Sequence, residues 1–235
     1  LARVELEVER NVKELDAILP QAPEVDRAFY RGVWYDQEMQ HGRILDRLKA
    51  ELGLPPAEPL TEVGGPIKAL AVAAHFKPIQ DVVRAVYYFT GASTERQAVL
   101  AYSALIERLE DMGEDAVAQT VVQPIKRQEP GHFAFYSLSA TKIVPELKPW
   151  QLWLARQLRA RSYELVGTHH DPRYQAQMGG VSEVLGFAAD PRDYAREIGR
   201  LEARVLWANR HGMEFPPYVL EAIEESRRLY ATGRG

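Results

Sequence analysis

The chain has 235 residues, and 46% of them are hydrophobic, which is enough for a sizeable core and makes one large domain the default expectation. It contains no cysteine, so disulfides, zinc–thiolate sites, iron–sulfur clusters and a cysteine nucleophile are excluded. The formal net charge of −4 argues against a general nucleic-acid binder. Any bound metal must use histidine, carboxylate, backbone or water ligands, which suit iron, manganese, zinc or magnesium.

The sequence also predicts a cytoplasmic protein without a membrane span. The longest apolar runs, such as residues 70–74, are far too short to cross a bilayer. No signal peptide is visible, and we expect that Leu1 is not the natural start of the chain.

Hydrophobic spacing predicts helices along the first part of the chain. The first helix covers residues 1–19 and ends at a proline-rich turn, because proline removes a backbone donor and restricts the residue before it. The second runs from about Pro23 to Leu52, where Gly53 stops it. A connection rich in proline and glycine then leads to a short helix over residues 67–76.

Two long helices are predicted next, from about Pro78 to Asp111 and from about Glu114 to Val144. Pro124, Pro130 and Gly131 should kink the second of these or introduce a π-bulge.

A fifth long helix is predicted over residues 149–166, with Trp150 and Trp153 in the core. Residues 167–180 are predicted to form a loop, followed by helices over 191–210 and 217–230. No strand alternation of convincing length occurs, so the predicted fold class is all-α.

Three acidic residues lie alone on otherwise apolar helix seams: Glu38, Glu95 and Glu129. A buried carboxylate is costly unless it is paired or binds a metal. Two of the three begin a Glu-x-x-His motif, with His41 and His132, and residues three apart share one helix face. Each motif can therefore hold an ion. Alternatively, Glu38 and His41 form a surface pair, Glu95 pairs with an arginine of a neighbouring helix, and residues 129–132 form a loop, since proline and glycine both oppose helix.

The heights of these residues agree with two helical hairpins. In an antiparallel hairpin, residues equidistant from the turn lie at the same level. Glu95 and Glu129 are centred on residue 112, where a turn is predicted. Reflection of Glu38 through the turn at residues 20–23 lands near the carboxylates of the first helix, which are Glu5, Glu7 and Glu9.

Each hairpin thus offers one Glu followed by a Glu-x-x-His motif, which is the ligand pattern of carboxylate di-metal sites in ferritin-like bundles. Hard carboxylates can bridge two cations, and a single histidine per metal leaves coordination positions open for dioxygen.

The motifs resemble those of a known family over roughly residues 1–170. Glu38-Met39-Gln40-His41-Gly42 resembles the Glu-Asn-Arg-His-Gly helix of soluble acyl-carrier-protein desaturases. Residues 94–98 resemble their third ligand helix, and residues 128–143 are similar to their second Glu-x-x-His helix. The chain is accordingly similar to the ferritin-like di-iron carboxylate superfamily, closest to these desaturases and to the ribonucleotide-reductase-like oxidases.

This resemblance implies a ferritin-like four-helix bundle with additional C-terminal helices. We expect a single domain over residues 1–235, with the metal-binding bundle at about 1–166 and a helical extension at about 167–235. Aligning the first hairpin without gaps favours Glu7 among the three first-helix carboxylates. The expected ligands of two iron ions, or of a manganese–iron pair, are Glu7, Glu38, His41, Glu95, Glu129 and His132.

The implied activity is that of a di-iron oxidoreductase that uses dioxygen and external electrons to desaturate, hydroxylate or N-oxygenate an apolar or acyl-type substrate. The implied partners are a small-molecule or acyl-carrier-bound substrate and a ferredoxin-type electron donor, and the resemblance leaves room for a homodimer. Gln128, Gly131 and Ala98 stand where the family has Asp, Arg and Thr, which weakens stearoyl-type desaturation as the reaction.

Alternatives from other functional classes remain open. The chain can be a ligand-binding or metal-handling protein that holds iron or manganese without efficient turnover, or a metal-free structural bundle.

Tyr102 and Tyr136 lie on the same helix faces as expected ligands and can contact a substrate, although core tyrosines are commoner. Ala98, one turn after Glu95, can likewise contact a substrate. His169 and His170 are expected at the surface of a loop. Three arginines can dock an acidic carrier or form a solvated face, namely Arg156, Arg159 and Arg161.

Overall fold

The structure is a computed structural model that describes residues 1–233, without the side chains at positions 66, 68 and 69. Within this part of the chain it is all-α and contains no strand, which confirms the predicted fold class. None of its described helices is both long and apolar enough to cross a membrane. The chain divides into two compact units, Leu1–Arg84 and Ala85–Gly235. The ferritin-like bundle and the single-domain organisation stay predictions.

The first unit contains six helical segments before the long helix in which the division falls. In chain order they are α1 (Ala2–Leu6), α2 (Val8–Ile18), α3 (Glu24–Ala28), a π-helical turn (Phe29–Trp34), α4 (Tyr35–Glu51) and α5 (Gly65–Ala73). Helix α4 packs against α1 and α2, and α5 packs against α2. The predicted first hairpin is therefore present.

The N-terminal helix is interrupted at Glu7, where the sequence predicted a continuous helix. The backbone of Glu7 has a ψ of −6°, whereas an α-helix has a ψ near −42°. Its N–H lies 3.2 Å from two carbonyl oxygens, those of Arg3 and Val4.

The connection after α4 is tied to the first unit by two backbone hydrogen bonds. The N–H of Ala57 donates to Asp46 Oδ1 at 2.6 Å, and the N–H of Leu60 donates to Glu7 Oε1 at 3.3 Å. The turn itself begins at Gly53, which has a φ of +70° that favours glycine.

The second unit begins within the long helix α6 (Lys77–Asp111). It continues with α7 (Asp115–Val117), a π-helical turn (Ala118–Val122), α8 (Gln123–Lys126), α9 (Glu129–Ile143), a 3₁₀ turn (Val144–Glu146), α10 (Pro149–Ser162), α11 (Pro172–Val184), α12 (Pro191–Arg204) and α13 (Pro217–Ala231). The π-bulge expected near Pro124 is confirmed. Pro124 has no N–H to donate to the preceding turn, so the helix widens just before it.

Helix α11 occupies a segment that the sequence predicted as a loop, and that prediction is wrong. The Asp171 side chain accepts a hydrogen bond from Arg173 N and caps the helix. Gly179 lies against α13, because a Cβ atom there would sit 2.2 Å from the carbonyl oxygen of Ser226. Gly179 and Gly180 therefore permit a close helix–helix contact and do not mark a turn.

The prediction of Trp150 and Trp153 as core residues is also wrong, since their side chains are 44% and 61% exposed. The buried face of α10 carries Gln151, Ala155 and Arg159 instead. Helix α10 is rotated so that a polar side chain faces the interior, where it has a carboxylate partner.

Candidate metal centre

The first unit brings together three potential metal ligands, which we call the first triad: Glu5, Glu38 and His41. Helix α4 presents Glu38 and His41 one turn apart on the same face, and α1 supplies Glu5. One donor atom of each residue lies within 4.8 Å of the others, and all three side chains are buried. His41 Nδ1 lies 3.5 Å from Glu38 Oε2.

The second unit holds an equivalent group, the second triad: Glu95, Glu129 and His132. Helix α9 presents Glu129 and His132, and α6 supplies Glu95. His132 Nδ1 lies 3.4 Å from Glu95 Oε2 and 3.5 Å from Glu129 Oε2. The three side chains are at most 2% exposed. The structure thus brings together the predicted ligands of the second hairpin.

The spacing within each triad suits donors directed at one ion. Metal–ligand bonds of about 2.1 Å with angles of about 90–109° place donors roughly 3.0–3.4 Å apart. The N–O distances of 3.4 and 3.5 Å lie at or just above the upper end of that range. They exceed the usual hydrogen-bond length of about 2.7–3.2 Å. The spacing of these donors is therefore closer to that of ligands around one ion than to that of a hydrogen-bonded pair.

The charges within each triad suit a cation. In the metal-binding form, two carboxylates and one neutral imidazole would carry two negative charges in a buried volume, and a buried charge is stable only when it is compensated. A divalent metal ion supplies that compensation. Carboxylate oxygen combined with imidazole nitrogen suits iron, manganese or zinc. The residues present therefore fit the expected metals, and each triad can hold a metal ion.

The structure groups Glu5 with Glu38 and His41, whereas the gap-free alignment favoured Glu7. The Glu7 side chain is buried, and its Oε1 accepts hydrogen bonds from Arg3 Nη1 at 2.7 Å and from Leu60 N at 3.3 Å. Glu9 is exposed. The choice of ligand between Glu5 and Glu7 stays a prediction.

Substitution of the two first-helix carboxylates should separate their roles. We expect Glu5→Gln to weaken metal binding to the first triad by at least about tenfold, because it removes a charged oxygen ligand. Glu7→Gln should leave metal affinity within about twofold and lower the free energy of unfolding by about 1–3 kcal/mol, because it weakens buried hydrogen bonds to a charged group. Metal titration and urea unfolding measure the two effects. A larger loss of affinity in Glu7→Gln would restore the alignment-based choice.

The three residues predicted near the ligands lie on the two ligand helices of the second unit. Tyr136 follows His132 by one turn, and its hydroxyl accepts a hydrogen bond from Tyr87 at 3.4 Å. Tyr102 is buried two turns beyond Glu95, and Ala98 is half-buried one turn beyond it. Tyr136 is therefore a core tyrosine with a hydroxyl partner, next to the second triad.

The histidine pair lies outside both triads, in the turn before α11, which agrees with its expected loop position. His169 and His170 have φ values of +50° and +51°, in the left-handed region. The N–H of His170 donates to Glu164 Oε2 at 2.6 Å and holds this turn in place.

A second buried polar cluster in the second unit explains the orientation of α10. Arg159 Nη2 lies 2.6 Å from Glu202 Oε1. Tyr218 donates its hydroxyl proton to Glu202 Oε2, and Trp207 Nε1 donates to the Tyr218 hydroxyl at 3.1 Å. Burial and the adjacent carboxylate hold the pKa of Tyr218 well above its ordinary value, so the phenol stays protonated. Burial lowers the pKa of Arg159, but the charge and hydrogen bonds of Glu202 together raise it above its ordinary value.

This cluster reaches helix α6 close to Glu95. Arg159 Nη1 donates to Thr90 Oγ1 at 3.2 Å, and the hydroxyls of Tyr163 and Ser93 lie 3.3 Å apart. Arg159 is consequently unable to act as a surface docking residue, which corrects one of the two interpretations of the arginine cluster. Helix α10 and the residue that follows it are therefore bonded to α6, the helix that carries Glu95.

Comparisons of the chain with protein-family models, with curated proteins and with solved structures find no match. The resemblance to desaturases thus depends on the quoted motifs alone, and membership of that superfamily stays a prediction.

Proposed function

We propose that the protein is a non-haem di-iron oxidase or oxygenase and that each of its two triads holds one metal ion. The observation that supports this most directly is the assembly of two buried groups with the same composition, each with one Glu from one helix and a Glu-x-x-His pair from another. Two metal ions held by this ligand pattern are what the resemblance to ferritin-like bundles implies.

The chemistry supplied by two bound iron ions, or by manganese with iron, is the activation of dioxygen with electrons from an external, ferredoxin-type donor. The protein residues have simpler roles. Glu5, Glu38, Glu95 and Glu129 would provide anionic oxygen ligands, and His41 and His132 would provide one nitrogen to each triad. Burial of these side chains excludes bulk water from the ligands.

The proposed substrate is an apolar or acyl-type molecule, free or bound to a carrier, that is desaturated, hydroxylated or N-oxygenated. The residues at positions 98, 128 and 131 differ from the desaturase motifs. These differences favour a reaction other than stearoyl-type desaturation while leaving the two triads complete.

Metal analysis followed by a reaction with oxygen tests this proposal. Protein expressed with excess iron should contain about two metal ions per chain, and a content below about 0.2 would support a metal-free structural bundle instead. Anaerobic reduction followed by addition of oxygen should produce an optical transient whose decay depends on the substrate. Metal binding without any reaction with oxygen would indicate a metal-handling protein.

A further inference from the structure

We infer that Gly42 and Gly91 are positioning residues: they set the distance between the ligand-bearing helices of each triad and so determine metal affinity. This inference rests on the proposed metal binding. Neither glycine has a positive φ, so neither is required by the backbone conformation. A glycine inside a helix is less favourable than alanine, so its presence calls for a different reason.

In the second unit, that reason is the contact between Gly91 and Tyr136. A Cβ atom at Gly91 would lie 2.4 Å from two ring carbons of Tyr136, well inside van der Waals contact. Gly91 precedes Glu95 by one turn of α6, and Tyr136 follows His132 by one turn of α9. The tyrosine ring therefore packs directly on the backbone of α6, next to the point where ligands from the two helices meet.

In the first unit, Gly42 has the same relation to Leu6. A Cβ atom at Gly42 would lie 2.6 Å from Leu6 Cγ and 3.0 Å from the Leu6 backbone nitrogen. Gly42 follows the ligand His41, and Leu6 follows the ligand Glu5. Helices α1 and α4 thus approach each other closely beside two ligands of the first triad.

The size of the displacement decides its effect on a metal. Bringing a contact of 2.4 Å to an ordinary distance of 3.4 Å or more requires a shift of about 1 Å. Metal–ligand distances vary by only about 0.2 Å between good sites. A helix shift of this size cannot keep every donor within bonding distance. Disturbing the residues that orient metal ligands typically weakens affinity by about 10–100-fold.

Gly131 provides a matched control. It lies in helix α9 and is adjacent to the ligand His132, as Gly42 is adjacent to His41. A Cβ atom at Gly131 would meet no heavy atom within 4 Å. Substitution of this glycine by alanine changes the helix backbone preference without displacing a neighbouring helix.

The experiment is a Co²⁺ titration of the full chain, monitored by the visible absorption spectrum of the bound ion. Gly91→Ala should bind Co²⁺ about 10–100-fold more weakly than the wild type and should alter the spectrum of the ion, because donor geometry changes. Gly131→Ala should match the wild type within about twofold. Far-UV circular dichroism verifies that each variant is folded.

Removal of the opposing side chain should rescue the glycine variants to different extents. Gly91→Ala combined with Tyr136→Ala should bind Co²⁺ as tightly as Tyr136→Ala alone, because the three nearest atoms all belong to the ring. Gly42→Ala combined with Leu6→Ala should recover only in part, because the backbone nitrogen at 3.0 Å remains. A structural role without any effect on donor spacing would not produce this spectral change and rescue.

The outcomes distinguish the two proposals. Equal affinity and identical spectra in Gly91→Ala and Gly131→Ala would overturn the positioning role while leaving metal binding intact. Failure of the wild type to bind Co²⁺ would overturn the proposed function and this inference with it. If Gly91→Ala does not fold, the double variant decides: affinity equal to that of Tyr136→Ala supports the inference, and weaker affinity overturns it.

Discussion

Glu129→Gln is expected to abolish metal binding by the second triad while leaving the metal-free protein at least as stable as the wild type. The carboxylate is 1% exposed and lies 3.5 Å from His132. Without metal, the triad buries two acids around one imidazole, and each buried charge costs several kcal/mol. A neutral amide of nearly the same shape removes one of these charges together with a metal ligand.

The sign of this stability change separates a metal site from a structural Glu–His cluster. In excess metal, each occupied triad of the wild type should add about 2.7 kcal/mol at a metal concentration 100 times the dissociation constant, and Glu129→Gln should lose the contribution of the second triad. Urea unfolding with and without a chelator measures both quantities. Glu107→Gln, on the exposed surface of α6, is the control. A loss of about 3–5 kcal/mol in the metal-free variant would show that Glu129 stabilises the fold as an ion-pair partner.

The sequence was sufficient to predict the second triad. Glu95 is an isolated acid on an apolar seam, and its distance from the turn equals that of Glu129. Helix periodicity and hairpin symmetry are local properties of the sequence, so they do not depend on contacts with residues far along the chain. Helix periodicity also predicted the all-α class, and the prolines of the fourth long helix predicted a kink or a π-bulge.

The first triad could be predicted only to within one helical turn. The choice between Glu5 and Glu7 depends on an interruption of the helix at residue 7 itself, where neither glycine nor proline marks a break. The interruption instead accompanies the bonding of the Glu7 carboxylate to Leu60, a residue 53 positions away. Contacts over such distances along the chain are not encoded in a local pattern.

The errors in the second unit have the same origin. Gly179 favoured the prediction of a loop, but it permits the close contact between its helix and the backbone of Ser226. Trp150 and Trp153 were predicted as core residues, but the ion pair of Arg159 with Glu202 places a different face of α10 in the interior. In both cases the decisive partner belongs to a helix much further along the chain.

Arg159→Met is expected to lower the free energy of unfolding by about 3–5 kcal/mol, because it leaves the Glu202 carboxylate buried without its cation. Both side chains are 2% exposed, and the arginine also donates to Thr90 on α6. Urea unfolding measures the change. Arg161→Met on the same helix is the matched control. Its guanidinium is exposed and bonds only to Gln157 among the hydrogen bonds of the described side chains. Its loss should therefore stay within about 0.5 kcal/mol.

A double variant shows whether the loss of stability in Arg159→Met comes from the broken charge pair or from lost packing. Arg159→Met combined with Glu202→Leu should be more stable than Arg159→Met alone, because no uncompensated charge remains in the interior. Equal stability of the single and double variants would mean that lost packing, rather than a stranded charge, causes the effect. The pair belongs to a cluster that bonds α10 and α12 to α6 a few residues from Glu95. The C-terminal helices of the second unit therefore stabilise the helix that supplies a ligand to the second triad.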